Sequence, residues 1–135
     1  MKQEEGMSTQ SQRIEIFQDT MSWVQSNPDL SASINLAKKN TQVIWENDYP
    51  QFDQSKTYNT VITVSGDRSY QAAMRIKKET PESKIAVMNF ANAFHPGGGV
   101  TKGSNAQEEG LCRTSTLCPL LYRKRLDLFL RYRSD

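Results

Sequence analysis

Apolar positions fall into a few short patterns along this chain, and each predicts an element. Ile14, Phe17, Met21 and Val24 recur at spacings of three and four, which is one face of an amphipathic helix. Asn27-Pro28 ends it, and Asp29 is placed to cap a second helix carrying Leu30, Ile34 and Ala37 on one side. Lys38 and Lys39 suit the negative end of that helix. Thr41-Gln-Val-Ile-Trp45 reads as a short strand, and Glu46 to Thr57 as a loop. Asn59-Thr-Val-Ile-Thr-Val64 is rich in β-branched residues and predicts another strand. A turn at Ser65-Gly66-Asp67 leads to a helix from Ser69 to Lys78, stopped by Thr80-Pro81. Lys84-Ile-Ala-Val-Met-Asn-Phe90 is nearly continuous apolar sequence, as expected of a strand covered on both faces of a parallel sheet. Strand, helix and strand at this spacing predict a βαβ unit, with ligands bound beyond the carboxyl ends of the strands.

Residues 91–103 fall at that position. Pro96-Gly97-Gly98-Gly99 permits backbone angles closed to other residues and a close approach of ligand to main-chain N–H groups. Ser104-Asn-Ala-Gln107 matches a capping box, which predicts a helix from about Asn105 to Leu117. A glycine loop followed by a helix N-terminus suits a phosphate or diphosphate. The P-loop pattern fails because Ser104 stands where its lysine belongs, and G-x-G-x-x-G is absent. Glu108 and Glu109 open the helix. Taken alone they offset the helix dipole, and Arg113 is spaced to pair with Glu109. Beside a ligand loop they are also candidates for acid/base chemistry. Asn92 has two readings, a sugar-binding amide or a turn residue bonded to its own backbone.

Composition narrows the class. The 135 residues fit one domain, 36% apolar and 24% charged. A net charge of +2 is too small to argue for nucleic-acid or membrane binding. Residues 1–10 are polar and expected to fray, and they lack the apolar core of a signal peptide. One histidine and two cysteines fall short of a four-ligand zinc site. Cys112 and Cys118 are read as reduced, structural thiols, which suits a cytoplasmic or nuclear setting, the cytoplasm being the expectation. His95 has no nucleophile at a recognised spacing and is read as a loop residue. The segment 123–135 carries five Arg and Lys against two Asp, most simply a solvated helix face.

The joint motif is more specific than its pieces. Asn89-Phe-Ala-Asn92, then Pro-Gly-Gly-Gly99, seven residues, Gln107-Glu-Glu109 and Gly110-Leu-Cys-Arg-Thr-Ser-Thr-Leu117 resembles the signature of microbial-type poly(ADP-ribose) glycohydrolases. The resemblance implies an α/β, macrodomain-like mixed sheet flanked by helices, here in residues 41–135, preceded by an N-terminal helical extension in residues 1–40. It implies poly(ADP-ribose) or an ADP-ribosylated protein as partner, no cofactor, and hydrolysis of ribose–ribose O-glycosidic bonds with Glu109 as catalytic acid. Glu108 and Asn92 would hold ribose hydroxyls, Gly97, Gly98 and Gly99 would wrap the ribose and diphosphate, and Gln107 would fix the loop. Asp67 loosely resembles the adenine-binding aspartate of macrodomains. The family continues with further strands and a second glycine loop, whereas this chain turns basic after Leu120. That departure predicts a partial core whose distal half is missing, with a second chain as one way to complete it. The alternative functions are an ADP-ribose-binding module without catalysis, or an inactive fragment.

Overall fold

The computed structural model describes residues 8–44, 47–48, 51, 53, 55 and 57–122. Helix α1 spans Gln10–Ser26 and buries Phe17 and Val24, two of the four residues on the predicted stripe. A reciprocal cap starts it: the Thr9 hydroxyl accepts from the Gln12 amide at 3.2 Å, and the Gln12 side chain accepts from the Thr9 amide at 2.7 Å. Helix α2, Pro28–Asn40, is capped by Asn27 rather than by Asp29. The Asn27 Oδ1 accepts from the amides of Asp29 and Leu30 at 2.9 and 3.2 Å. Pro28 takes the first helical position, where its missing N–H has no consequence. Ile34 is fully buried.

Helix α3, Ser69–Glu79, matches its prediction within a residue. A single 3-10 turn, Val100–Lys102, precedes helix α4, Gln107–Thr114. Helical residues follow at 117–122, so Cys118-Pro119 lies inside a helical turn, where the sequence pattern predicts a break. The expected basic last helix falls on residues outside the described set, as do Trp45 and residues 1–7.

The predicted sheet is not found among the described residues. Among the described residues no segment forms a strand, and the chain there is helices joined by irregular segments. A mixed macrodomain-like sheet is therefore not the architecture of this structure. The physical reason lies in what strands require. A strand is stable only when a neighbour takes up its N–H and C=O groups and covers its side chains. Residues 59–64 and 84–90 meet no such neighbour: Val64 is 96% exposed, and Ile62, Met88 and Phe90 are also exposed. The apolar run that suggested burial on both faces is thus largely bare. Its last residues are instead held by one side chain. The Gln107 Nε2 donates to the Met88 carbonyl at 2.7 Å, and its Oε1 accepts from the Phe90 amide at 2.9 Å, like a single rung of a ladder.

Burial is concentrated elsewhere. Phe17 of α1, Val100 of the 3-10 turn, Cys112 of α4 and Cys118 form the core, with Met21 and Leu117 packed against it. Helix α1 packs on both the 3-10 turn and α4. The glycine loop is therefore clamped between α1 and α4, which positions the site. No helix of the described residues is long and apolar enough to cross a membrane.

Candidate functional site

The glycine loop is a run of tight turns. The Gly98 amide donates to the His95 carbonyl at 2.8 Å, Lys102 to Gly99 at 2.9 Å, and Ser104 also to Gly99 at 3.1 Å. Gly97, Gly98 and Gly103 have φ of 80°, 55° and 72°, the left-handed region that other residues adopt only with strain. Close contact is a second requirement. A Cβ on Gly97 would stand 2.9 Å from the Cys118 sulfur, and one on Gly98 would press into the Glu109 carboxylate.

Helix α4 begins two residues later than the capping box suggested, and Ala106 is its N-cap. Ser104 is diverted: its hydroxyl lies against Gly99, and its carbonyl accepts from Arg113 Nη1 at 2.7 Å. The later start aims the first turn of α4 at the loop. Glu108, 3% exposed, accepts from two backbone amides, Gly97 at 3.0 Å through Oε1 and Asn92 at 2.8 Å through Oε2. Glu109, 7% exposed, accepts from the Gly99 amide at 2.9 Å through Oε1. Its Oε2 is buried, with no hydrogen-bond partner among the described residues. The two adjacent acids thus differ: Glu108 is occupied at both oxygens, and Glu109 keeps one buried oxygen without a hydrogen-bond partner among the described residues.

The predicted Glu109–Arg113 pair does not form. Arg113 bonds Ser104 O and, at 3.1 Å, Asn105 Oδ1, which ties α4 to the end of the loop. Burial and the facing charges of Arg13 and Arg68 push its guanidinium below the usual arginine range, and Glu109 acts in the opposite direction. Asn92 takes its turn role, with Oδ1 accepting from the amides of Phe94 and His95 at 2.9 and 2.8 Å. No partner of its amide nitrogen is found among the described residues. Gln107 also reaches the Ser69 hydroxyl at 3.2 Å, so α3, α4 and the 88–90 segment meet at one amide. All three loop glycines have their N–H groups engaged, Gly97 and Gly99 by the acids and Gly98 by His95. Asp67 is bonded to Arg75 at 2.8 Å, which holds its carboxyl below the usual range.

Several supporting residues were not legible as such. Arg13 of α1 donates to Gly103 O at 2.6 Å and to Ser8 O, and Gln10 Nε2 donates to Lys102 O at 2.7 Å. The only signal is that Gln10 and Arg13 share the face of Ile14 and Phe17 by helical spacing. Beneath Gly97 the free thiols of Cys112 and Cys118 are fully buried and interact with each other. The hydrogen bond from Cys112, supported by one from Tyr122, draws Cys118 down to about 7 against the effect of burial. The same bond, with burial and the charges of Glu108 and Glu109, drives Cys112 up. Among the described residues no cluster of side chains has the composition of a metal site.

Among protein families, the model described as microbial-type PARG, catalytic domain, matches the chain over residues 9–132. No curated protein and no solved structure matches the chain. That family carries poly(ADP-ribose) glycohydrolase-like function, with poly(ADP-ribose) as substrate. The match runs from the cap of α1 through the glycine loop and beyond the acidic turn, so the chain belongs to the microbial-type PARG catalytic-domain family.

Proposed function

We propose that this chain hydrolyses the ribose–ribose O-glycosidic bonds of poly(ADP-ribose) and releases ADP-ribose, with Glu109 as the acid and base. The observation that carries the reading is the asymmetry of the Glu109 carboxyl. Gly99 N–H fixes Oε1, while Oε2 is buried without a partner. A buried acceptor left open is unfavourable unless something else uses it. A substrate oxygen is such a partner. In this reading the protonated Oε2 gives its proton to the departing ribose oxygen as the glycosidic bond breaks and an oxocarbenium ion forms. The resulting carboxylate then takes a proton from the water that attacks the anomeric carbon, and Glu109 is restored.

One carboxyl serves both steps, unlike the two-carboxylate plan of most glycosidases. Glu108 is unsuited to share the work, because both its oxygens are held by backbone amides. Its role is to fix the backbone at Asn92 and Gly97, with each oxygen retaining a lone pair for a ribose hydroxyl. Asn92 offers its amide nitrogen to the same sugar. Gly98 and Gly99 let the loop backbone lie against the Glu109 carboxyl, and Gly97 lets it lie over the thiols of Cys112 and Cys118, where in each case a Cβ would meet those groups. Gln107 holds the 88–90 segment against α4. Incubation of the full chain with poly(ADP-ribose), followed by chromatography, tests the activity. Accumulating ADP-ribose supports it, and polymer of unchanged length in the presence of folded protein refutes it.

A further inference from the structure

On another face of α4 lies a half-open cavity of about 540 Å³, lined by the N-terminal part of α1, the first turn of α3 and one side of α4. Its size is that of a small-molecule site. Neither acid of the site nor any glycine of the loop lines it. Its walls carry Arg13, Arg68 and Arg113, and the only acid among them is Asp67, which Arg75 already engages. No salt bridge of the three arginines is found among the described residues. Arg113 is 7% exposed, so a guanidinium is buried here with neutral oxygens as its bonding partners. The Glu109 charge compensates this burial in part, without bonding to the guanidinium, and two further guanidinium groups, Arg13 and Arg68, face it.

The geometry is that of a prepared receptor. Arg113 and Arg13 are each held by bonds to the 103–105 backbone or to Asn105, which fixes their heads at the cavity wall. Arg68 is exposed and able to close over a ligand. Helix α3 opens into the same space, with Ser69, Tyr70 and Gln71 of its first turn on the wall and the Gln71 Oε1 accepting from the Arg68 amide at 3.1 Å. Three planar forks beside a helix start match a multivalent oxyanion, and phosphate oxygens most closely. The glycine loop, by contrast, has all three of its glycine N–H groups engaged.

We propose that the Arg13–Arg68–Arg113 cavity is a diphosphate site, separate from the acidic turn, which holds a diphosphate of the substrate polymer. The assignment to the polymer rests on the proposed function, whereas diphosphate binding itself does not. Calorimetry on the full chain with inorganic pyrophosphate at low salt tests the site. Expected are saturable binding that weakens as salt rises, and a loss of about tenfold in Arg68→Ala with an unchanged melting temperature. Glu109→Gln should bind pyrophosphate within about threefold of the parent, because that carboxylate does not line the cavity. Absence of saturable binding, or Arg68→Ala binding like the parent, overturns the site. So does a large gain in Glu109→Gln, which would place the anion beside the acidic turn. A second arm identifies the source. With polymer as substrate, Arg68→Ala should raise KM about tenfold and leave kcat near that of the parent. An unchanged KM beside weakened pyrophosphate binding overturns the polymer assignment and points to a free nucleotide diphosphate.

Discussion

Replacing Gly98 by alanine tests the contact between the loop and the acid. Gly98 sits at φ 55°, where a residue with a Cβ is strained by about 1–2 kcal/mol. The new methyl would collide with Glu109 Oε1 and approach Glu109 Cδ at 3.1 Å and Glu108 Oε2 at 3.4 Å. Both obstacles are carboxylates anchored by backbone amides, so yielding means breaking the Gly99 N–H bond to Glu109. A hydrogen bond to a charged group contributes about 1.5–3 kcal/mol. The sum is about 2.5–5 kcal/mol, or roughly 10–20 °C of melting temperature for a chain of this size. Thermal unfolding followed by circular dichroism measures it. The internal control is Gly110→Ala, whose Cβ meets nothing within 4 Å and which lies inside α4. That change should stabilise by about 0.5–1 kcal/mol. If Gly98→Ala melts within about 2 °C of the parent, the loop and the acid are not in contact and the description of the site fails.

Three further outcomes follow from the same contacts. Glu108→Gln should destabilise by about 2–4 kcal/mol, since either amide orientation sets an NH2 group against a backbone N–H, and denaturant titration reads the change. Gln107→Ala should release the single rung at 88–90, with amide exchange at Phe90 accelerating by at least about tenfold by NMR, while amides within α2 are unaffected. Thiolate absorbance in the ultraviolet should show one thiol ionising near 7, Cys118, and Cys112 only above the ordinary thiol range. A thiol lowered on folding releases its proton earlier than in the unfolded chain, so stability should rise from about pH 7 to about pH 9. Cys112, raised on folding, opposes any further gain above about pH 9, and two thiols ionising together near that pH would contradict the pairing.

How much of this was legible follows from the range over which each signal acts. Helices α1, α2 and α3 could be read because their stripes and stops are local, from Ile14 to Thr80. The start of α4 could not, because Ser104 fits a capping box in sequence but bonds Arg113 and packs on Gly99 in the fold. The expected strands do not form for a related reason. β-branched residues at 59–64 and apolar ones at 84–90 express what a segment would do beside a partner, and none is present among the described residues. The acidic turn was legible because seven residues separate Gly99 from Gln107, a spacing specific to the joint motif. What that motif left open was the division of labour between its two acids. Glu108 and Glu109 are identical in sequence and differ only in how many backbone amides reach them. Helical spacing puts Arg13 on the face of Ile14 and Phe17 but does not reveal its partner, because Gly103 lies ninety residues away.

The open oxygen of Glu109 is the group on which the proposed chemistry depends. Glu109→Gln isolates it, since Oε1 still accepts from Gly99 and the new NH2 occupies the place of an oxygen that has no partner. The measurement is the rate of ADP-ribose release from poly(ADP-ribose) by parent and variant, with melting temperatures taken alongside. Expected is a loss of about 10²–10⁴-fold with nearly unchanged melting. Equal rates for the two proteins would contradict the assignment of Glu109 as acid and base.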